Sequence, residues 1–186
     1  LPNTLSSKLV EKGIKIHGTT SSSIDVAEDR EKFSALLDEL NVLQPNWKRL
    51  TSKENALDFA EKIGYPVLIR PSYVLSGKAM MVAYSQKVLE TYFHQSSAVI
   101  TSEYPVVISK FIRGAIEVDF DAVSKNGTIM TWAISEHIEH SGVHSGDASL
   151  VLPTFSLSNQ AIGEIKKVSK SISKALKIHG PCNIQF

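Results

Sequence analysis

A chain of 186 residues with 42% hydrophobic and 21% charged content has the composition of a globular protein, with enough length for one fair-sized core or two small lobes. Its 20 basic and 19 acidic residues leave a net charge of +1, so no basic field advertises nucleic acid, and no apolar run approaches the ~20 residues of a membrane-spanning helix. The single cysteine, Cys182, excludes an internal disulfide and fits a reducing compartment.

Leu5, Leu9 and Val10 form a helical stripe stopped at Gly13, and residues 14–16 read as a brief strand ending at Gly18. The polar stretch 19–23 reads as a loop and a domain boundary. Phe33, Leu36, Leu37 and Leu40 fall at i, i+3, i+4 and i+7, which predicts one amphipathic helix over 27–41. Thr51 with Glu54 predicts a capping box for the next helix, with Ala56, Phe59, Ala60 and Ile63 on its apolar side and Gly64 as its stop.

The period then changes. Residues 65–70 and 79–84 read as strands around the loop 71–78, and 85–96 returns to helix with Val88, Leu89, Tyr92 and Phe93 buried. A strand over 106–112 turns at Arg113-Gly114. Ile116, Val118, Phe120 and Ala122 alternate with Glu117, Asp119 and Asp121, a half-buried strand with an acidic face. Asn126-Gly127 signals a two-residue hairpin turn before a returning strand over 129–135. Residues 142–152 read as a loop, and 158–178 as the last helix. The chain starts at Leu1 and stops within the strand-like run 182–186, so it is expected to be an internal piece of a longer protein. The fold class is α+β, with mostly antiparallel strands in two lobes.

Three stretches carry chemistry. The run Arg70-Pro71-Ser72-Tyr73-Val74-Leu75-Ser76-Gly77-Lys78 places a glycine, small hydroxyls and two cations between strands, which suits a flap over polyphosphate. It is not a Walker A loop, since that motif's first glycine and its Ser/Thr after the lysine are both missing. The residues alone favour a plainer reading, a surface hairpin with incidental charge. In the second stretch, Lys110-Phe111-Ile112 followed by Glu117-Val118-Asp119 offers a strand edge for a base and a carboxylate for ribose hydroxyls. In isolation a solvated acidic face is again the plainer reading. The third, Glu136 to Asp147, holds three histidines and three carboxylates within twelve positions. Zinc ligation is one reading, although the histidines straddle a strand end and a glycine loop. A loop that places an imidazole and a hydroxyl next to small glycines better suits binding of a phosphate or small anion. His137 and His140 read as structural.

The strings AEDREKF, RPSYVLSGKAM, AIEVDFDAV, SEHIEHSGVHSGDASLVLP and GPCNIQF, in this order and spacing, resemble the second half of the large chain of carbamoyl-phosphate synthetase over the whole chain. RPSYVLSG and EHIE with GVHSGD are the specific words, and the Ser76-Gly77 pair and Leu152-Pro153-Thr154 are similar to eukaryotic-type members. The resemblance implies an ATP-grasp fold, with residues 1–23 the tail of a preceding domain and 24–186 an ATP-grasp domain lacking its final metal-binding strand. It implies an ATP-dependent ligase whose second half phosphorylates carbamate, within a synthesis from bicarbonate, ammonia or glutamine, and two ATP. It further implies that Arg70 holds ATP phosphates beneath a flap at Ser76 and Gly77. Backbone at Lys110 and Ile112 would meet adenine, and Glu117 the ribose. Gly142, Val143, His144 and Ser145 would line the nucleotide and phosphoryl side, with Arg30 a further nucleotide contact. His144 and Arg70 would be the catalytic pair, and Gln185 the first ligand of Mg²⁺ or Mn²⁺. The implied partners are carbamate, the rest of the synthetase and a glutamine amidotransferase domain or subunit, in the cytoplasm, or in mitochondria for a urea-cycle type. The segment by itself is expected to be inactive. Another ATP-grasp ligase, such as a biotin carboxylase, and a non-catalytic nucleotide-binding module are the alternatives.

Overall fold

Capping chemistry decides where the N-terminal helices begin and end. In the computed structural model, which describes residues 2–71, 80–95, 105–139 and 147–186, helix α1 (Pro2–Glu11) closes on Gly13 at φ 75°. Gly13 N donates to Val10 O and Ile14 N to Leu9 O, the paired bonds of a glycine-terminated helix. Ile14 is thus engaged with the helix end, and the strand expected over 14–16 does not form. The expected loop over 19–23 instead starts helix α2 (Ser21–Glu28), because Thr20 Oγ1 accepts from Ser23 N at 3.3 Å. Hydroxyl residues cap helices as readily as they populate loops. Asp29 then starts α3 (Arg30–Glu39), its Oδ1 accepting from Glu31 N at 2.9 Å and Lys32 N at 3.0 Å. The single helix expected over 27–41 is therefore divided at Asp29.

The chain forms two compact units. One comprises Asp29–Ala35 and Leu43–Ile112. It contains β1 (Trp47–Leu50), α4 (Lys53–Ile63), β2 (Val67–Pro71), β3 (Met81–Ala83), α5 (Gln86–Gln95) and β4 (Val106–Lys110). The sheet runs β1-β4-β2-β3, antiparallel at each pairing. Val67, Ile69, Ala83, Val106 and Ile108 pack with Ala56 and Ala60 of α4 and Leu89 of α5. Fully buried alanines at 56 and 60 put small side chains where α4 meets the core. The α4 cap is Ser52, whose Oγ accepts from Asn55 N at 3.2 Å, one position later than the expected Thr51 box.

The other unit comprises Leu1–Glu28, Leu36–Val42 and Arg113–Phe186. It contains β5 (Val118–Lys125), β6 (Thr128–His137), β7 (Leu150–Val151), α6 (Asn159–Ala175) and β8 (Gly180–Gln185), in the antiparallel sheet β7-β6-β5-β8. Asn126 and Gly127 take φ 49° and 83°, as a tight hairpin turn between β5 and β6 requires. A Cβ on Gly127 would lie 3.0 Å from Lys174 Cα, so the close approach of α6 demands glycine as much as the turn does. Alternation along β5 sorts the faces. Val118, Phe120 and Ala122 pack with Ile134 and Ile165, and the Trp132 ring stacks on Phe120 at 6.0 Å. Asp119 and Asp121 fall on the opposite face.

Candidate functional site

In the unit built on β1–β4, Arg70 is the unusual residue. It sits near the end of β2, partly buried, with Nη2 3.5 Å from Ser109 Oγ, at the limit of a hydrogen bond. Among the described residues its buried Nε has no hydrogen-bond partner and no carboxylate pairs with it. Burial, and then the like charge of Arg30 at the start of α3, push the Arg70 guanidinium below its ordinary pKa. A desolvated cation beside a second cation is a ready site for an anion of several charges, and polyphosphate is one. Lys110 lies at the end of β4, but its amide already donates to Asn46 O at 2.8 Å. Its Nζ is held by Gly64 O and Tyr65 O, at the C-terminal end of α4 where a cation is favoured. Ile112 lies beyond the ladder, half exposed.

In the unit built on β5–β8, the polar face carries a connected network that the sequence reading missed. His137 of β6 is buried, and its Nε2 lies 2.8 Å from Asp119 Oδ2 on β5. Its Nδ1 faces Glu117 Oε2 at 4.0 Å. Asn183 of β8 donates from Nδ2 to Asp119 Oδ1 at 3.2 Å and to Asp121 Oδ1 at 3.0 Å. Both oxygens of Asp119 are therefore occupied, which is how a carboxylate tolerates such burial. Alternation on β5 and β8 was the available signal, since Asp119 pairs with Gln185 and Asp121 with Asn183 once the register is known. Glu117, just before β5, keeps 17% of its side chain exposed. Gln185 is exposed on the edge strand β8. Its carboxamide oxygen is a hard donor that fits Mg²⁺ or Mn²⁺ as one ligand of several, and Asp119, already saturated, is not positioned as a second. Among the described residues no group of three His, Cys, Asp or Glu side chains is placed to hold a metal ion. Burial pushes the Cys182 thiol up, away from nucleophilic chemistry.

The two glutamates flanking His137 in the EHIE motif act as clasps. Glu139 accepts from Ser149 N at 2.8 Å and from Ser149 Oγ at 3.0 Å, joining the two sides of residues 140–148. Glu136 is fully buried, and its carboxylate accepts from Phe155 N, Ser156 N and the Ser156 hydroxyl. Burial would raise its pKa, but the Ser156 hydroxyl and the Ser156 and Phe155 amides together hold it below the ordinary carboxylate range. A depressed folded value means that this stabilisation is present above the ordinary glutamate pKa of about 4.3 and is lost as pH falls through the folded value. Glu136→Ala is expected to destabilise the fold by on the order of 3 kcal/mol, since it orphans two amides and a hydroxyl. Urea titrations at pH 7 and pH 3.5 should show the gap between wild type and variant narrowing at the lower pH. A constant gap would reject an ionised Glu136.

Ser76, Gly77, Gly142, Val143, His144 and Ser145 lie outside the described residues. Residues 29–186 match the family model for the carbamoyl-phosphate synthase L chain, ATP binding domain. The chain belongs to this carbamoyl-phosphate synthase ATP-binding family. Over all 186 residues it is 51% identical to a mitochondrial carbamoyl-phosphate synthase [ammonia] of Aquarana catesbeiana, spanning 12% of that relative's length. It is 50% identical over 184 residues, 99% of its length, to the multifunctional protein URA2 of Saccharomyces cerevisiae, of which it spans 8%. A mitochondrial arginine-specific large chain of Schizosaccharomyces pombe is 49% identical over the full chain, 16% of that relative. Among solved structures, a biotin carboxylase–βγ-ATP complex from Campylobacter jejuni superposes with TM-score 0.82 at 16% identity, covering 99% of this chain and 42% of that one. A carboxyaminoimidazole ribonucleotide synthase from Aspergillus clavatus complexed with ATP gives 0.80 at 11% identity, covering 100% and 47%. Likeness at such identity shows the fold alone, and the fold of this family member is ATP-grasp.

Proposed function

We propose that the chain is the nucleotide-binding part of the carbamate-phosphorylating half of a carbamoyl-phosphate synthase, an ATP-dependent ligase. The observation that carries the nucleotide reading is Arg70, a partly buried cation whose Nε has no partner among the described residues and on which a second arginine acts. The resemblance of RPSYVLSG and of EHIE with GVHSGD to the second half supports the choice of carbamate over bicarbonate. On this reading residues 1–23 belong to a preceding domain, in keeping with a family match that begins at residue 29. The rest of the synthetase and an amidotransferase domain or subunit complete the assembly, in cytoplasm or mitochondria.

The reaction is an in-line displacement. A carbamate oxygen attacks the γ-phosphorus of ATP, the bond to the β-phosphate oxygen breaks, and carbamoyl phosphate and ADP result. Arg70 and Arg30 bind the phosphates and neutralise their charge, with Ser76 and Gly77 covering them. Backbone near Lys110 and Ile112 meets adenine, Ile112 the better placed because the Lys110 amide is already bonded. Glu117 accepts from the ribose hydroxyls. Gly142, Val143, His144 and Ser145 line the phosphoryl side, and His144 donates to oxygen charge that grows in the transition state. Gln185 would contribute one oxygen to Mg²⁺ or Mn²⁺, whose charge would offset that of the phosphates.

Glu117→Ala in the full-length protein tests this reading. Loss of a charged acceptor typically costs ~1.5–3 kcal/mol, about 10- to 100-fold in nucleotide affinity. The site is read separately by the reverse reaction, ATP formation from ADP and carbamoyl phosphate, where the KM for ADP should rise by that factor. The melting temperature should move little, since the 4.0 Å approach to His137 is not a hydrogen bond. An unchanged KM rejects the ribose role.

A further inference from the structure

We propose that His137 is a positioning residue that sets the carboxylate of Glu117 for the nucleotide. The proposal rests on the ribose reading of Glu117. A carboxylate that must meet two vicinal hydroxyls has to hold one conformation, and fixing a glutamate side chain costs rotamer freedom. Glu117 stands just ahead of β5, where strand pairing holds the backbone but does not by itself fix the side chain. The imidazole of His137 reaches it from the neighbouring strand. The His137 amide donates to Glu117 O at 2.9 Å, so the two residues are also joined through the backbone.

The ring is braced from its far side. Nε2 is bonded to Asp119, and Asp119 is bonded in turn to Asn183, which also grips Asp121. The brace thus crosses β6, β5 and β8, and only 1% of the His137 side chain is exposed. A residue that merely tied β6 to β5 would need the Asp119 bond and nothing more. Here the second nitrogen also approaches a second carboxylate, 4.0 Å from Glu117 Oε2, and the ring edge limits where that side chain can go. The buried end of the network is hydrogen-bonded throughout, and the end at Glu117 is the more exposed part, where a ligand could meet it.

Two substitutions in the full-length protein separate the roles of the two nitrogens. His137→Gln keeps an amide near the Nε2 position, within reach of Asp119, but removes the group facing Glu117. His137→Asn keeps a polar group near Nδ1 and gives up the bond to Asp119. In the reverse reaction, His137→Gln should raise the KM for ADP about tenfold with kcat and melting temperature near wild type. His137→Asn should lower the melting temperature while its KM stays within about threefold of wild type. In a Glu117→Ala background, His137→Gln should raise KM no further. A KM that is unchanged in His137→Gln, that follows thermal stability in both variants, or that rises additively in the double variant overturns the proposal while leaving the ribose role standing. No effect of Glu117→Ala by itself rejects the ribose role, and the proposal with it.

Discussion

His144→Asn in the full-length protein is expected to slow carbamoyl phosphate formation by ~10²–10³-fold, the usual cost of losing one donor to developing oxygen charge. The nucleotide KM should stay nearly unchanged, the pattern of an interaction made mainly in the transition state. On the proposed reading, bicarbonate-dependent ATP hydrolysis would belong to a separate site in another half and should survive. His140→Asn is the control and should leave both activities near normal. Neither substitution alters Glu139 or Ser149, which are hydrogen-bonded to each other on either side of this stretch of sequence. Equal damage from His140→Asn would favour a shared metal site, and metal analysis should then find bound zinc.

Arg70→Met is expected to move function and stability in opposite directions. Among the described residues the buried Nε has no partner, and Nη2 makes a long contact with Ser109 Oγ. Replacing such a desolvated charge with an apolar side chain of similar length should be neutral or stabilising, by about 1 kcal/mol in the absence of nucleotide. The β2–β4 register is a backbone property and should persist, Arg70 opposite Val107. Loss of charge-assisted bonds to phosphate should weaken nucleotide binding by about 10- to 100-fold. Differential scanning fluorimetry with and without ADP and Mg²⁺ reads both effects, as a higher baseline melting temperature and a smaller shift on adding ligand. A fall in baseline stability with an undiminished ligand shift would make Arg70 a structural residue.

Much of the architecture was legible in the residues because the signals were local. The alternation along residues 116–122, the Asn126-Gly127 turn and the long stripe of α6 each act within a few positions, and each element formed where expected. Expectations that failed were also local, and several lost to a competing local choice. Thr20 and Asp29 act as caps where a polar loop and a continuous helix were expected, and Ile14 completes the end of α1 rather than starting a strand. Strand β1 had no signal of its own. Its four residues show no clean alternation, and they are held in the sheet by pairing with β4, about sixty positions away.

For the site, the sequence by itself determined the family and the candidate residues, because specific words such as RPSYVLSG survive as strings. It also determined that β5 has an acidic face. Only the tertiary structure decided what that face does. His137 and Asp119 are 18 positions apart and Asn183 and Asp119 are 64 apart, so their contacts follow from strand order and register rather than from any spacing in the chain. The same holds for Arg70, whose missing partner is invisible in a string of letters. A residue type states which bonds a side chain is able to make, and burial and neighbours decide which of them are left open for a ligand.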